Sequence, residues 1–259
     1  AAWYAGLTTV PMNAKLHPQE LEYILQNCGA RVCFASSDLA QPVESLRGNL
    51  PALKGVIEVA SSDYTALYRA EPNIAMADTA PDDVAWLFYT SGTTGRPKGV
   101  MITHRNLTCM SLCYFVAVDG IGPGDCVLHA APMSHGSGCY NFPHMLAGAN
   151  QVVPDSGHFD PAEIFQLCRR WCGVTLFAAP TMVHRLVAHA RKQAPALDGL
   201  KTIVYGGGPM YLQDIKNALA TMGPRFAQIY GQGESPMTIT ALSKFHLGDR
   251  DHPRHDERL

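Results

Sequence analysis

Apolar positions along this chain recur in two alternating rhythms, one helical and one strand-like, from end to end. Leu21, Ile24, Leu25 and Cys28 fall on one helical face; His17 or Pro18 opens that helix and Gly29 closes it. Short apolar or β-branched runs predict strands at 32–35, 56–59, 84–88 and 100–102, and Thr103 is placed to cap a helix that runs to Val118. Further strands are expected at 126–130, 151–153, 174–178, 202–205 and 226–229, with helices between them. The cleanest helical stripe is Ile164, Leu167, Cys168, Trp171 and Cys172 within 161–172, read as a core face.

Strands alternating with helices are the pattern of βαβ units, so the fold class is α/β with mainly parallel sheet. The run Asp119-Gly-Ile-Gly-Pro-Gly-Asp125 is dense in turn formers and is the natural boundary. It divides the chain into a first α/β lobe at 1–119, a second at 120–240, and a tail at 241–259 that reads as solvated from His246 onward.

Composition narrows the partners. A net charge of −2, a pI near 6.6 and only 16% charged residues leave no basic footprint for nucleic acid. A chain of 259 residues is long enough for two lobes with cores of their own. No apolar run approaches the roughly 20 residues of a membrane span, and residues 1–12 lack the cationic start of an export signal. The eight cysteines form no Cys-x-x-Cys. Cys109/Cys113 and Cys168/Cys172, four apart in helical patterns, read as buried reduced thiols, which makes the cytoplasm the expected location.

The chemistry begins after the apolar run 84–88. Residues 89–99 read Tyr-Thr-Ser-Gly-Thr-Thr-Gly-Arg-Pro-Lys-Gly, all small, hydroxylated or cationic apart from the leading Tyr89 and from Pro97. Gly92, Gly95 and Gly99 let backbone N–H groups approach anionic oxygens, Thr90, Ser91, Thr93 and Thr94 add hydroxyl donors, and Lys98 adds positive charge. This is a triphosphate-binding loop but not a Walker motif: Pro97 precedes the lysine and Gly99 follows it, where that motif needs Gly and then Ser or Thr.

Three more segments carry functional residue types. Gly206-Gly-Gly-Pro209 follows a predicted strand. In Tyr230-Gly-Gln-Gly-Glu234 an aromatic ring and a carboxylate flank two glycines at a strand end, where open α/β sheets bind ligands. Tyr230 can stack on a base and Glu234 can hold Mg²⁺ on phosphate oxygens. Pro132-Met-Ser-His-Gly-Ser-Gly138 sets His135 among glycines. His104, His144, His184 and His189 lack metal-ligand spacing and read as capping, packing or solvent-facing.

In order and separation, 89–99, 206–209 and 230–234 resemble the signature segments of the adenylate-forming (AMP-binding) superfamily of acyl-CoA synthetases, luciferases and peptide-synthetase adenylation domains, over most of the chain. The closest likeness is to a fatty-acid or aryl-acid CoA ligase. The resemblance implies two predominantly parallel sheets with flanking helices, the layered αβαβα core of that family's N-terminal domain, here truncated at both ends. It implies activation of a small carboxylic acid by ATP with Mg²⁺, then thioester formation with coenzyme A as co-substrate.

The residue roles follow from the same resemblance. Thr90, Ser91, Gly92, Thr93, Thr94, Gly95 and Lys98 would bind phosphates. Gly206, Gly207, Gly208 and Pro209 would contact adenine, with Tyr230, Gly231, Gln232 and Gly233 completing the nucleotide site. Glu234, as Mg²⁺ ligand, and Lys98, as phosphate counter-charge, would be the catalytic groups. His135, Gly136, Pro180 and Thr181 would line the acid pocket, since 177–181 resembles the family's pocket wall. Gly233 departs from the family, which places Thr there, and removes one hydroxyl donor from the α-phosphate region.

Two other readings compete. A peptide-synthetase or stand-alone adenylation domain would carry an acidic residue for an amino group in the pocket, and none is evident near His135. A non-catalytic nucleotide-binding or interaction module would fit a decayed site, with Gly233 as its first sign. The Thr-Gly-Asp segment and C-terminal lysine of the family do not occur in 236–259, so the chain alone is expected to bind ATP weakly and to lack full activity. Apolar surface laid bare by truncation is expected to favour self-association.

Overall fold

The computed structural model describes residues 1–72, 75–90 and 96–259. The chain forms two compact units, Ala1–His104 and Arg105–Leu259. The division falls ahead of the turn-rich run at 119–125.

The first unit contains helix α1 (Pro18–Asn27), strand β1 (Val32–Ala35), helix α2 (Ser37–Leu46), strand β2 (Gly55–Glu58), helix α3 (Ser62–Arg69) and strands β3 (Val84–Thr90) and β4 (Lys98–Thr103). A capping box starts α1: His17 Nδ1 accepts from the Gln19 N–H, and Glu20 accepts from the His17 N–H. Leu21, Ile24 and Leu25 are buried as the periodicity requires, and Gly29 ends the helix at a φ of 61°. β1 and β2 pair in parallel around the α2 crossover, whereas β3 and β4 pair antiparallel.

The second unit contains helix α4 (His104–Ala117, assigned to this unit from Arg105), strand β5 (Cys126–Leu128), short helices α5 (Gly136–Cys139) and α6 (Asn141–Leu146) and strand β6 (Asn150–Val152). Helix α7 (Pro161–Arg170), strand β7 (Val174–Ala178), helix α8 (Pro180–Gln193), strand β8 (Leu200–Tyr205), helix α9 (Leu212–Met222), strand β9 (Phe226–Gln232) and strand β10 (Ser235–Leu242) follow. Helices α10 (Lys244–Gly248) and α11 (His255–Arg258) close the chain. The six strands lie in the order β10-β9-β8-β7-β5-β6, all parallel except β10.

Strand alternation divides the second unit's interior between two faces. Leu128, Leu176, Ala178, Ile203 and Tyr205 pack with Ile164, Leu186 and Ile215 of α7, α8 and α9 in one apolar cluster. Thr175 and Phe177 point the other way, and Phe177 stacks on Tyr140 between α5 and α6. That second face is the more polar, with His129, Ser137, His144, Thr175 and Thr202 all buried.

One expectation needs correction. Of the paired cysteines only Cys168 is buried; Cys109, Cys113 and Cys172 are exposed, although all eight are free thiols. Strand β10, beyond the last expected strand, runs through Pro236 as an antiparallel edge strand with an irregular register next to Met237 at a φ of 50°. From His246 onward the tail is exposed or half-buried, as expected, except for the fully buried Leu247, and just before it Lys244 pairs with the buried Asp119 at 2.7 Å. Among the described residues no helix is long and apolar enough to cross a membrane.

Candidate active site

From β5 the chain moves outward to β6, then returns to β7 on the opposite side of β5 and continues to β8 and β9. The order therefore reverses between β5 and β7. At such a switch point the segments leaving the strand ends diverge and open a crevice, the usual ligand position in an open α/β sheet. His135 and Gly136 lie on the segment after β5, Pro180 and Thr181 follow β7, Gly206–Gly208 and Pro209 follow β8, and Tyr230 to Glu234 lie at the end of β9 and its turn. Sequence segments separated by up to about a hundred residues thus converge on one sheet edge.

The glycines there have steric causes. A Cβ on Gly136 would sit 2.6 Å from the Phe177 ring, and one on Gly206 would sit 2.6 Å from the Ile229 carbonyl oxygen. Gly138 lies so close to the Met133 carbonyl that no side chain fits, and Gly207 holds a φ of 79°. The result is a surface of bare backbone beside Phe177 and Pro180. His135 is exposed, its Nδ1 3.0 Å from the Ser134 carbonyl. Tyr230 is exposed and accepts a hydrogen bond from Gln232 Nε2 at 2.7 Å, and Glu234 is exposed in the turn before β10.

Beneath this edge His129 is buried, with Nδ1 2.8 Å from Ser137 Oγ and Nε2 2.9 Å from Gln151 Oε1. Burial pulls its pKa below the ordinary histidine value, so it is neutral. The Gln151 oxygen accepts from Nε2–H, which leaves Nδ1 to accept from the Ser137 hydroxyl. An open cavity of about 170 Å³ lies between α4 and β10, lined by Met110, Cys113, Tyr114, Val118, Met237 and Ile239 among others.

In the first unit β3 and β4 carry the described ends of segment 89–99. Thr90 pairs with Lys98 and Tyr89 with Gly99. Ser91, Gly92, Thr93, Thr94 and Gly95 lie outside the described residues. Gly99 is required by its neighbour: a Cβ would lie 2.9 Å from the Tyr89 ring, whose hydroxyl donates to Asn27 Oδ1 at 2.6 Å. Burial raises the Tyr89 phenol to about 12, so it remains a donor there. Lys98 is exposed.

The family model described as AMP-binding enzyme matches residues 1–258. The chain belongs to the AMP-binding enzyme family. Among its relatives, a feruloyl-CoA synthase of Amycolatopsis sp is 30% identical over 252 residues, 96% of this chain and 49% of that protein. The medium/long-chain-fatty-acid–CoA ligase FadD8 of Mycobacterium tuberculosis is 32% identical over 221 residues, 83% of this chain and 38% of that protein. The crystal structure of ATP-bound MatB from Rhodopseudomonas palustris superposes with a TM-score of 0.78 at 25% identity, covering 92% of this chain and 47% of that one. The chain spans about half the length, or less, of the curated relatives it matches.

Sequence reasoning passed over two features of this family member. Phe177 entered only as part of a pocket wall, and its ring is what leaves no room for a side chain at Gly136. The buried His129–Ser137–Gln151 chain was invisible, because two polar residues 8 and 22 positions from the histidine carry no spacing signal until β5 and β6 pair.

Proposed function

We propose that the chain is the acid- and nucleotide-binding part of an acyl-CoA ligase. The observation that carries this reading is the convergence of 135–136, 180–181, 206–209 and 230–234 on the carboxyl edge of one parallel sheet at its switch point. The bare backbone at Gly206–Gly208 suits a flat base lying against it, and Tyr230 offers a ring beside it. Glu234 is an exposed carboxylate at the same edge, and one carboxylate plus phosphate oxygens is a usual donor set for Mg²⁺. When bound, Mg²⁺ neutralises phosphate charge.

In this reading the acid lies in the crevice beside Gly136, Phe177 and Pro180, and its carboxylate oxygen attacks the α-phosphorus of ATP as pyrophosphate leaves. The sulfur of coenzyme A then attacks the acyl carbonyl and AMP leaves. The protein's part is positioning and electrostatics: Thr90, Lys98 and residues 91–95 of the loop hold phosphate oxygens, and the glycine turns keep the edge free of side chains that would block approach. Gly233 contributes no hydroxyl, so stabilisation of the α-phosphate falls to backbone N–H groups and to Ser235.

ATP–pyrophosphate exchange with a panel of fatty and aryl acids tests the proposal. Exchange dependent on one class of acid, reduced at least about tenfold in Glu234→Gln with unchanged circular dichroism, is the expected result. Binding of ATP without exchange for any acid would instead favour a non-catalytic nucleotide-binding module.

A further inference from the structure

The buried imidazole of His129 has no part in the chemistry proposed above, yet both of its nitrogens are engaged. Its backbone N–H donates to the Val152 carbonyl at 2.8 Å, so the residue carries the β5–β6 ladder one step past Leu128. The ring itself is 4% exposed. Gln151 Oε1 holds Nε2 at 2.9 Å, and Ser137 Oγ stands 2.8 Å from Nδ1. Pinned at its backbone and at Nε2, the ring offers Nδ1 as a fixed point to which Ser137 is tied.

What is tied there is short and poorly held by its own ladder. Helix α5 has four residues, far fewer than a helix needs to stand alone, so outside contacts must hold it. Its two glycines have no side chain with which to grip a neighbour. Gly136 lies against the Phe177 ring, where a Cβ would come within 2.6 Å, and Gly138 abuts the Met133 carbonyl. Ser137, between them, is 1% exposed and joins α5 to the sheet through His129. A shift of α5 by about 1 Å breaks that bond and moves Gly136 on Phe177 with it.

Stability alone does not call for this arrangement. An apolar pair of like shape in the two places would avoid the desolvation of a hydroxyl and an imidazole, and would serve the core as well. A satisfied, directional bond adds what apolar packing lacks, because it admits one position of the segment. That segment carries His135 and Gly136, two of the residues expected at the acid.

We propose that His129 is a positioning residue of the acid site, acting through Ser137 to hold His135 and Gly136 in place without touching the acid. The inference rests on the acid-activating reading and adds to it the residue that sets where this wall of the site stands.

The test follows ATP–pyrophosphate exchange with decanoate, benzoate and ferulate, together with urea unfolding. It compares the parent with Ser137→Ala, His129→Leu, His129→Asn and the double variant of His129→Leu with Ser137→Ala. Each variant that breaks the bond should raise the KM for the acid that the parent activates at least about fivefold, with the KM for ATP changed less than about twofold. Asn puts an amide where Nδ1 stands, still bonds the Ser137 hydroxyl, and should keep the acid KM within about twofold of the parent value. The double variant separates positioning from stability. With neither polar group left unmet, its urea midpoint should return towards that of the parent while its acid KM stays raised. Ser137→Ala removes a single heavy atom, so the comparison survives a failure of His129→Leu to fold. An acid KM that returns to the parent value with the urea midpoint in the double variant, an unchanged acid KM in Ser137→Ala, or an equal rise in the KM for ATP would overturn the proposal and leave a structural bond, with acid activation intact. Exchange with none of the three acids in the parent would remove the acid-activating reading and this proposal with it.

Discussion

Replacing His144 by Asn should flatten the acid limb of this protein's stability curve. His144 is fully buried, and burial, with a smaller repulsion from His129, pulls its pKa from 6.5 down to about 4. The unfolded chain therefore takes up a proton near pH 6.5 that the folded chain refuses until about pH 4, so stability is fully present above 6.5 and is lost as pH falls through this window. The gap, at about 1.4 kcal/mol per pH unit, amounts to about 3 kcal/mol, of which about 2 kcal/mol is gone by about pH 5. Asn retains an N–H donor for the Tyr140 carbonyl but does not titrate. Urea unfolding at about pH 7.5 and about pH 5 should show the parent losing about 2 kcal/mol more than His144→Asn between the two conditions. His129, also held neutral by burial, contributes in the same direction to both proteins and cancels in the comparison. Equal losses in parent and variant would refute the assignment of this window to His144.

Three other substitutions test the packing and the crevice. Gly138→Ala drives a methyl into the Met133 carbonyl, which as backbone yields little, and should cost about 1–3 kcal/mol in urea unfolding. Phe177→Ala removes the ring packed against Gly136 at the proposed acid site; exchange assays should show a changed order of preferred acids with the KM for ATP altered less than about twofold. Lys244→Met strands the Asp119 carboxylate, which also accepts from Thr202, and should cost about 3–5 kcal/mol, part of it recovered in the double variant with Asp119→Asn.

What was legible in the sequence had a local physical signal. Helix α1 announces itself through His17, Pro18 and Glu20 at its start, the spacing of Leu21, Ile24 and Leu25, and Gly29 at its end. Strand β7 is apolar at every position but Thr175 because it lies inside the sheet, covered on both faces. The candidate site was legible for a related reason: glycine-rich turns at strand ends are local, and the sheet order alone brings them together. Features decided by distant partners were hidden. Strand β10 went unexpected: it contains Pro236, and it pairs only with β9 at the sheet edge, where the register is irregular. The exposure of Cys109 and Cys113 depends on which side of α4 faces the sheet, and a helix apolar on nearly every side does not reveal that.

Amide hydrogen exchange with and without a non-hydrolysable acyl-adenylate mimic, an acyl-sulfamoyl adenosine, tests the central claim most directly. Bound ligand should slow exchange together at 130–138, 177–181, 206–209 and 230–234, the four segments at the carboxyl edge of the sheet, while β6 and α11 stay unchanged. Protection elsewhere, or at none of these segments despite saturating mimic, would contradict the placement of acid and nucleotide at this edge.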